Sequence, residues 1–119
     1  MAAILLATAD PAIIATAQPI LEASGHTCIL VDSGPAVLHY TGAHACDLYL
    51  LAYDLPQMPG LRVARHLQQS YHIARDHIIL LYPAALPRTY DAEIQAATLL
   101  PTPFTGVELL LAVMRRLPA

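Results

Sequence analysis

The sequence predicts an α/β fold in which a five-stranded parallel sheet lies between two layers of helices, in one domain covering residues 1–119. Five short apolar segments alternate with segments of helical periodicity, and turn-forming residues separate them. Strands that alternate with helices pair in parallel through right-handed crossovers. Hydrophobic residues make up 56% of the chain and charged residues 13%, which suffices for a continuous core.

The predicted strands are residues 2–7, 27–31, 48–52, 78–82 and 98–101. The third and fourth are apolar at consecutive positions, as is typical of strands covered on both faces. The carboxyl ends of parallel strands meet at one edge of the sheet, and ligands bind there where the strand order reverses. The residues that follow the strands are therefore the candidates for a functional site.

The first predicted helix begins at Asp10 and Pro11, because an aspartate is a good N-cap and a proline suits the first helical turn. Gly25 ends it. Pro19 lies in its interior, where a proline removes a backbone donor and clashes with a carbonyl one turn earlier. We therefore expect this helix to kink, or to become irregular after Ala17.

Caps and apolar spacing predict four more helices. A short second helix is followed by a loop at residues 41–45. They cover residues 35–40, 61–70 and 89 or 90 to 97, and a last one runs from a cap at Thr105 to Leu117.

Composition excludes several classes of function. Net charge is −3, lysine is absent, and only Arg115 and Arg116 are adjacent cations, so nothing resembles a nucleic-acid footprint. No apolar run approaches the ~20 residues of a membrane span, and the N-terminus does not resemble a signal peptide. Cys28 and Cys46 form no disulfide framework, so we expect a cytoplasmic protein with free thiols.

The segment at residues 47–61 is an acid and an apolar strand, then a loop with Pro56 and Gly60, then the start of a helix. It resembles the central segment of bacterial response-regulator receiver domains. Pro56 and Gly60 fall where that family has its loop proline and glycine. Ala52 falls where the family has the aspartate that accepts a phosphoryl group.

The resemblance covers residues 4–117 and is most specific at residues 4–11, 47–61 and 100–104. It implies a flavodoxin-like fold with strand order 2-1-3-4-5. It also implies a role in two-component phosphorelay signalling, and a cis peptide bond before Pro103, at the turn after the fifth strand.

At each position of the family's phosphotransfer site, this sequence has a residue of a different type. The acidic pair that binds Mg²⁺ falls on Thr8 and Ala9, and the acceptor falls on Ala52. The hydroxyl after the fourth strand falls on Tyr82, and the lysine falls on Thr102. Without carboxylates and lysine, neither Mg²⁺ nor a transferring phosphoryl group is neutralised. We therefore interpret the chain as a pseudo-receiver that acts by phosphorylation-independent protein–protein interaction. We expect that it is not an enzyme and that it binds no cofactor.

Two alternatives stay open. One is a small-molecule module that uses the vacated strand-end cup, which we define as the site lined by Thr8, Tyr53, Tyr82 and Thr102. The other is a receiver phosphorylated at Asp54, two residues after Ala52 and ~6.6 Å beyond the strand end. We favour a simpler role for Asp54, as a loop carboxylate bonded to its own backbone ahead of a proline.

Tyr82 bears on the first alternative. We expect its ring to fill the strand-end cup and its hydroxyl to find a partner in Asp54, Asp10 or a backbone carbonyl. A filled cup would remove the two-state switch on which receivers depend.

The last helix carries more apolar residues than one buried stripe needs. We expect Leu110, Met114 and Leu117 to form the stripe and Leu109 or Val113 to be exposed as part of an interaction face. In receivers, the fourth helix, fifth strand and fifth helix form the usual partner surface, so protein partners and a homodimer through this face are expected.

The six histidines do not indicate a metal site. His39 and His44 are five residues apart, as are His72 and His77, but neither pair has further ligands of the kind that zinc requires.

Overall fold

The computed structural model describes residues 2–83 and 98–117. Five parallel strands form one sheet in the order β2-β1-β3-β4-β5, which confirms the predicted flavodoxin-like topology. The strands are β1 (Ala3–Ala7), β2 (Thr27–Val31), β3 (Leu48–Ala52), β4 (Ile78–Pro83) and β5 (Thr98–Thr102).

Four α-helices flank the sheet within the described residues. They are α1 (Pro11–Ala23), α2 (Gly34–Ala43), α3 (Gly60–Ser70) and α4 (Gly106–Arg116), with a 3₁₀ helix at Arg75–His77 before β4. The helix predicted at residues 90–97 lies outside the described residues, so the last helix of the chain is labelled α4. No helix in the described ranges is long and apolar enough to cross a membrane.

The core is double because successive strand residues point to opposite faces of the sheet. On one face, Tyr49 and Leu51 of β3 pack with buried side chains of α2 and α3. On the other face, Leu48 and Leu50 pack with buried side chains of α1 and α4. The consecutive apolar residues of β3 therefore pack alternately against the two helix layers.

Helix α1 is continuous from Pro11 to Ala23, so the expectation that it becomes irregular after Ala17 is wrong, while the alternative of a kink stays a prediction. Pro19 and the residue one turn before it, Ala15, are both exposed. The carbonyl that loses its helical donor at Pro19 is therefore on the solvent side, where water can bind it.

Helix α2 is longer than predicted: it reaches Ala43, and the loop expected at residues 41–45 starts only at His44. Thr41 and Gly42 suggest a loop by propensity. In the structure, the Thr41 hydroxyl donates to the Val37 carbonyl one turn earlier (2.8 Å), and the backbone continues as helix.

Helix α4 begins at the predicted cap. The Thr105 hydroxyl accepts from the Glu108 backbone N–H (3.2 Å), and the Glu108 carboxylate accepts from the Thr105 N–H (2.9 Å), which is a complete capping box.

The expected exposure of Leu109 or Val113 is wrong, because both are buried against the sheet, at 0% and 1% exposed. The exposed large apolar residues of α4 are instead Val107 (66%), Leu111 (48%) and Met114 (69%), so the prediction that Met114 belongs to the buried stripe is wrong. A Cβ on Gly106 would lie 2.6 Å from the Ile20 side chain. Because residue 106 has no Cβ, α4 can approach α1 closely. In this arrangement the buried residues of α4 are one position earlier in the sequence than the predicted stripe.

Candidate functional site: the carboxyl ends of the strands

The register of the sheet places the predicted site positions at one edge. Ala52 is the last residue of β3 and pairs with Leu81 of β4. Tyr82 follows Leu81 and pairs with Pro101 of β5, and Thr8 follows the last residue of β1. The predicted site residues of these three strands therefore lie at the edge of the sheet where ligands bind in this fold.

The centre of the strand-end cup is closed. Thr8 and Ala52 are each 2% exposed and Tyr82 is 3% exposed. Tyr82 and Ala52 belong to the core cluster between the sheet and helices α2 and α3, and Tyr53 packs against that cluster. The burial of Tyr82 agrees with the prediction that its ring fills the cup, and the partner of its hydroxyl stays a prediction.

Polar groups at the end of β1 form hydrogen bonds with nearby backbone groups. The Thr8 hydroxyl accepts from the Asp10 N–H (3.0 Å), and the Thr8 N–H donates to the Val31 carbonyl (3.1 Å). The Asp10 carboxylate accepts from the Ala12 N–H (2.9 Å), as expected for an N-cap. The hydroxyl and the carboxylate thus shape the turn into α1.

Backbone hydrogen bonds connect the loop after β3 to β4 and to α3. The Tyr53 N–H donates to the Leu81 carbonyl (2.9 Å), and the Gly60 N–H donates to the Tyr53 carbonyl (3.0 Å). A Cβ on Gly60 would overlap the Ala52 carbonyl oxygen. Helix α3 can start directly over the end of β3 because residue 60 has no side chain.

Asp54 is not part of the buried cluster that contains Ala52 and Tyr82. It is exposed in the turn after β3 and lines a groove of about 510 Å³ together with Arg62 and Arg65 of α3. Ala52, two residues earlier, is buried. The two residues therefore have different surroundings, and Asp54 does not occupy the acceptor position at the end of the strand.

Thr102 faces a different space from Tyr82. It lines a cleft of about 260 Å³ between α1 and the turn into α4, with Asp10, Thr16 and Phe104 among its walls. The Thr102–Pro103 peptide bond in this turn is cis, which confirms that prediction. The structure brings Ala52 and Tyr82 into one buried cluster and leaves Thr102 beside this separate cleft.

The residues of the cup do not fit Mg²⁺, the metal that the receiver fold implies. Mg²⁺ requires an octahedral oxygen shell anchored by carboxylates. The positions of the acidic pair and the acceptor supply a threonine hydroxyl and two alanines, and that hydroxyl already accepts a backbone hydrogen bond. Within residues 2–83 and 98–117, no three His, Cys, Asp or Glu side chains cluster in a way that could hold a metal ion.

Two features of this edge escaped the sequence reasoning. The contact between Gly60 and the Ala52 carbonyl is a long-range consequence of how α3 meets β3, although a glycine at the start of a helix hints at close approach. The cleft beside Thr102 forms between elements that are distant in sequence, and no local pattern predicts it.

The fold is similar to that of several solved receiver domains. The chemotaxis response regulator CheY4 of Vibrio cholerae matches with a TM-score of 0.87 and 22% identity, over 98% of this chain and 99% of that one. The signal receiver domain of a signal transduction histidine kinase from Syntrophus aciditrophicus matches with a TM-score of 0.85 and 23% identity, over 98% and 89%.

A third similar structure is the receiver domain of a Pseudomonas aeruginosa sensor histidine kinase, solved with a magnesium ion coordinated in its active-site cleft. Its TM-score is 0.82 and its identity 24%, over 96% of this chain and 95% of that one. NtrX from Brucella abortus matches at 0.83 and 18%, and this chain spans 26% of its length.

At these identities the similarity establishes a shared fold. No family model matches the sequence, and no curated protein matches it.

Proposed function

We propose that this chain is a pseudo-receiver: an atypical response-regulator receiver domain, cytoplasmic, that serves two-component signalling through protein–protein contacts without being phosphorylated. The structural neighbours include a chemotaxis regulator and receiver domains of histidine kinases, which supports this class of function.

The closed position of Ala52 carries the proposal. A phosphoacceptor must present a carboxylate to a metal and to a phosphodonor in an open, polar site. Here the residue at the end of β3 has no functional group, is 2% exposed, and lies beneath the first residue of α3. Tyr82 closes the neighbouring strand end. Both the chemistry and the access of a phosphotransfer site are missing at this position.

The surroundings of the cup agree with this assignment. A transferring phosphoryl group spreads negative charge over its oxygens, and enzymes and receivers offset it with cations. The chain contains no lysine, and residue 102 is a threonine beside a separate cleft. The two arginines near the strand ends, Arg62 and Arg65, lie on α3 beside exposed Asp54.

A receiver that does not switch must signal by a constant surface. The outer face of α4 offers one, because Val107, Leu111 and Met114 are exposed on a helix whose opposite face is already buried. Large apolar side chains grouped on a surface are typical of protein–protein contact sites. We propose this face, in place of Leu109 and Val113, as the interaction surface.

A titration followed by two-dimensional NMR tests the proposal. Mg²⁺ with beryllofluoride, a phosphoryl mimic, is added to the chain, and amide shifts are followed at Ala52, Asp54, Tyr82 and Thr102. A pseudo-receiver shows no saturable shifts. Saturable shifts centred on Asp54 that disappear in Asp54→Asn would instead support a receiver phosphorylated at that residue.

A small-molecule module based on the cup is disfavoured, because Thr8 and Tyr82, two of the residues that would line it, are buried.

A further inference from the structure

We infer that two copies of this chain pair through the edge strand β2, antiparallel, with Ile29 of both copies at a two-fold axis. The two five-stranded sheets then form one continuous sheet. The contact uses no residue of α4, so each copy keeps the outer face of that helix free for a partner. The inference therefore goes beyond the proposed function and does not depend on it.

Strand β2 has an accessible outer side. Within the residues that the structure describes, it pairs only with β1 and stands at one end of the strand order. Leu30 in this strand is 41% exposed, and Thr27 is exposed as well. A further strand can therefore reach the outer side of β2.

The sequence of β2 lacks the features that usually prevent an edge strand from pairing with another chain, which are charged side chains, prolines and bulges. It reads Thr-Cys-Ile-Leu-Val, and its register with β1 is uninterrupted from Thr27 to Val31. Strand β5, at the opposite edge, contains Pro101, which has no N–H to donate. Of the two edges, β2 is therefore the one suited to accept a further strand.

The hydrogen bonds to β1 determine which backbone groups of β2 are available. The Thr27 N–H donates to the carbonyl of Ala2 (2.8 Å), and the Val31 carbonyl accepts from the N–H of the residue after β1 (3.1 Å). Backbone groups alternate in direction along a strand, so every second residue faces β1. Cys28 and Leu30 therefore direct their N–H and C=O groups outward.

An inverted copy of β2 matches these outward groups. In an antiparallel pair, opposite residues exchange both of their backbone hydrogen bonds at every second position. With Ile29 opposite Ile29 at the axis, Cys28 of each copy lies opposite Leu30 of the other. Every outward N–H, with its partial positive charge, then meets a carbonyl oxygen, and the two-fold symmetry makes the contact self-complementary.

The same register also pairs the side chains at the edge. Cys28 packs against the core cluster that includes residues of α1, and Leu30, two residues further on, lies on the same face of the sheet. In the dimer, Leu30 of each copy lies against Cys28 of the other. This contact removes the exposed apolar surface of Leu30 from water.

The residues that flank β2 agree with the antiparallel direction. His26 precedes the strand and the exposed Asp32 follows it, so the register places Asp32 of each copy opposite His26 of the other. The His26 Nδ1 accepts from the Ala2 N–H (3.3 Å). Nε2 of the neutral ring therefore carries the proton and can donate it to a carboxylate. Each end of the contact thus pairs a donor with an acceptor.

The expected association is weak. Two strands of five residues bury less than a standard interface, so the dimer belongs to the weak, transient class. We expect a dissociation constant on the order of 1 mM, and hence a fast exchange between monomer and dimer.

Sedimentation velocity of the full chain, from well below to well above this concentration, tests for the dimer. The mean mass of the wild type should rise from monomer toward dimer. Leu30→Lys should weaken the association about tenfold, because it sets two like charges close together in the contact. Leu111→Lys is the matched control: Leu111 is similarly exposed, at 48%, but lies on α4, and the change should leave the association unaltered.

Amide hydrogen exchange distinguishes strand pairing from a contact between side chains. The Cys28 and Leu30 N–H groups point away from β1, so they should exchange quickly in dilute solution. Raising the concentration should slow both in proportion to the fraction of dimer. The Thr27 N–H is bonded within the chain and is the internal control, whose exchange should not depend on concentration.

Disulfide crosslinking tests the register. Cys28→Ala and Cys46→Ala first remove the free thiols of the chain. In that background, Ile29→Cys should give a covalent dimer with a mild oxidant such as diamide. Residues opposite each other at such an axis have Cα atoms ~4.5 Å apart, within the range of a disulfide. Thr27→Cys is the matched control and should not crosslink, because its counterpart lies ~13 Å away along the strand.

Circular dichroism verifies that each variant is folded. A chain that stays monomeric at every concentration would overturn the inference, as would an association that persists in Leu30→Lys or is lost in Leu111→Lys. Equal crosslinking of Ile29→Cys and Thr27→Cys would also refute it, and so would a monomer whose β2 pairs only with a strand of another protein. None of these outcomes bears on phosphorylation, which the titration with beryllofluoride tests separately.

Discussion

Tyr53 and Tyr82 pack edge to face at the end of the sheet, with ring centroids 5.3 Å apart and ring planes at 81°. Tyr53 begins the loop after β3, and Tyr82 lies near the end of β4. Aromatic pairs in this geometry stabilise by ~0.5–1.5 kcal/mol beyond the area they bury. The contact joins two segments that would have to move apart to open the strand end, so it favours a single arrangement of this site.

Replacing Tyr82 should show what the ring contributes. Tyr82→Thr removes a buried aromatic ring and should lower the free energy of unfolding by ~3 kcal/mol. It should also speed amide exchange in the loop after β3. Tyr82→Phe keeps the ring and should cost ~0.5–1.5 kcal/mol, the value of one hydrogen bond. Urea unfolding measures both changes.

Tyr71→Thr is the control for the tyrosine variants, because Tyr71 is 37% exposed and its loss should cost much less. Equal effects of Tyr82→Thr and Tyr71→Thr on stability would contradict the account of a filled cup.

Gly60→Ala should destabilise the fold, because the new Cβ meets the carbonyl oxygen of Ala52 and backbone cannot move aside easily. Overpacking of this kind costs ~1–3 kcal/mol. Gly42→Ala is the matched change in helix α2, where the nearest atom to the new Cβ is the Tyr71 hydroxyl at 3.7 Å. There alanine should stabilise by ~0.5–1 kcal/mol. Thermal unfolding compares the two, and equal signs would contradict the close approach of α3 to β3.

The Cys28 thiol should react slowly with alkylating reagents at neutral pH. Burial, and then the nearby carboxylate of Glu22, raises the pKa of Cys28 to about 11. The rate of alkylation should therefore keep rising beyond pH 11, whereas the rate of an ordinary thiol, with a pKa of ~8.5, levels off near pH 10. Glu22→Gln should lower this pKa and shift the profile to lower pH.

The same thiol affects stability at high pH. Because its pKa is higher in the folded chain, the unfolded chain loses the proton first as pH rises. Its contribution to stability is therefore complete below about pH 9 and is lost between pH 9 and 11. Subtracting the profile of Cys28→Ala isolates it, and identical profiles would contradict the raised pKa.

The strands could be predicted well because each is a short run of apolar and β-branched residues, and β1, β3 and β4 at the centre of the sheet are apolar on both faces. β2 and β3 begin and end at the predicted residues, and the others differ by one residue at an end. Helix ends and faces were harder. Thr41 continues α2 through a bond to its own helix, and the buried face of α4 depends on contacts with α1 and the sheet that lie far away in sequence.

The positions of the site residues at the strand ends could also be predicted, because each of these residues follows or ends a strand whose bounds the sequence indicates. What the sequence could not reveal was how those residues are distributed in space. Ala52 and Tyr82 share a buried cluster, Thr102 faces a cleft with Asp10, and Asp54 lies in a groove with arginines. Loop paths decide this distribution, and loops are shaped by tertiary contacts more than by local pattern.

The most direct test of the central claim is the intact mass of the chain after incubation with Mg²⁺ and acetyl phosphate, or with a cognate kinase. Asp54→Asn, incubated in parallel, is the control for the surrogate acceptor. The account predicts the unmodified mass for both, because residue 52 is a buried alanine, Thr8 and Ala9 stand at the positions of the acidic pair, and the chain contains no lysine. An added phosphoryl group on the wild-type chain that is absent from Asp54→Asn would contradict the pseudo-receiver.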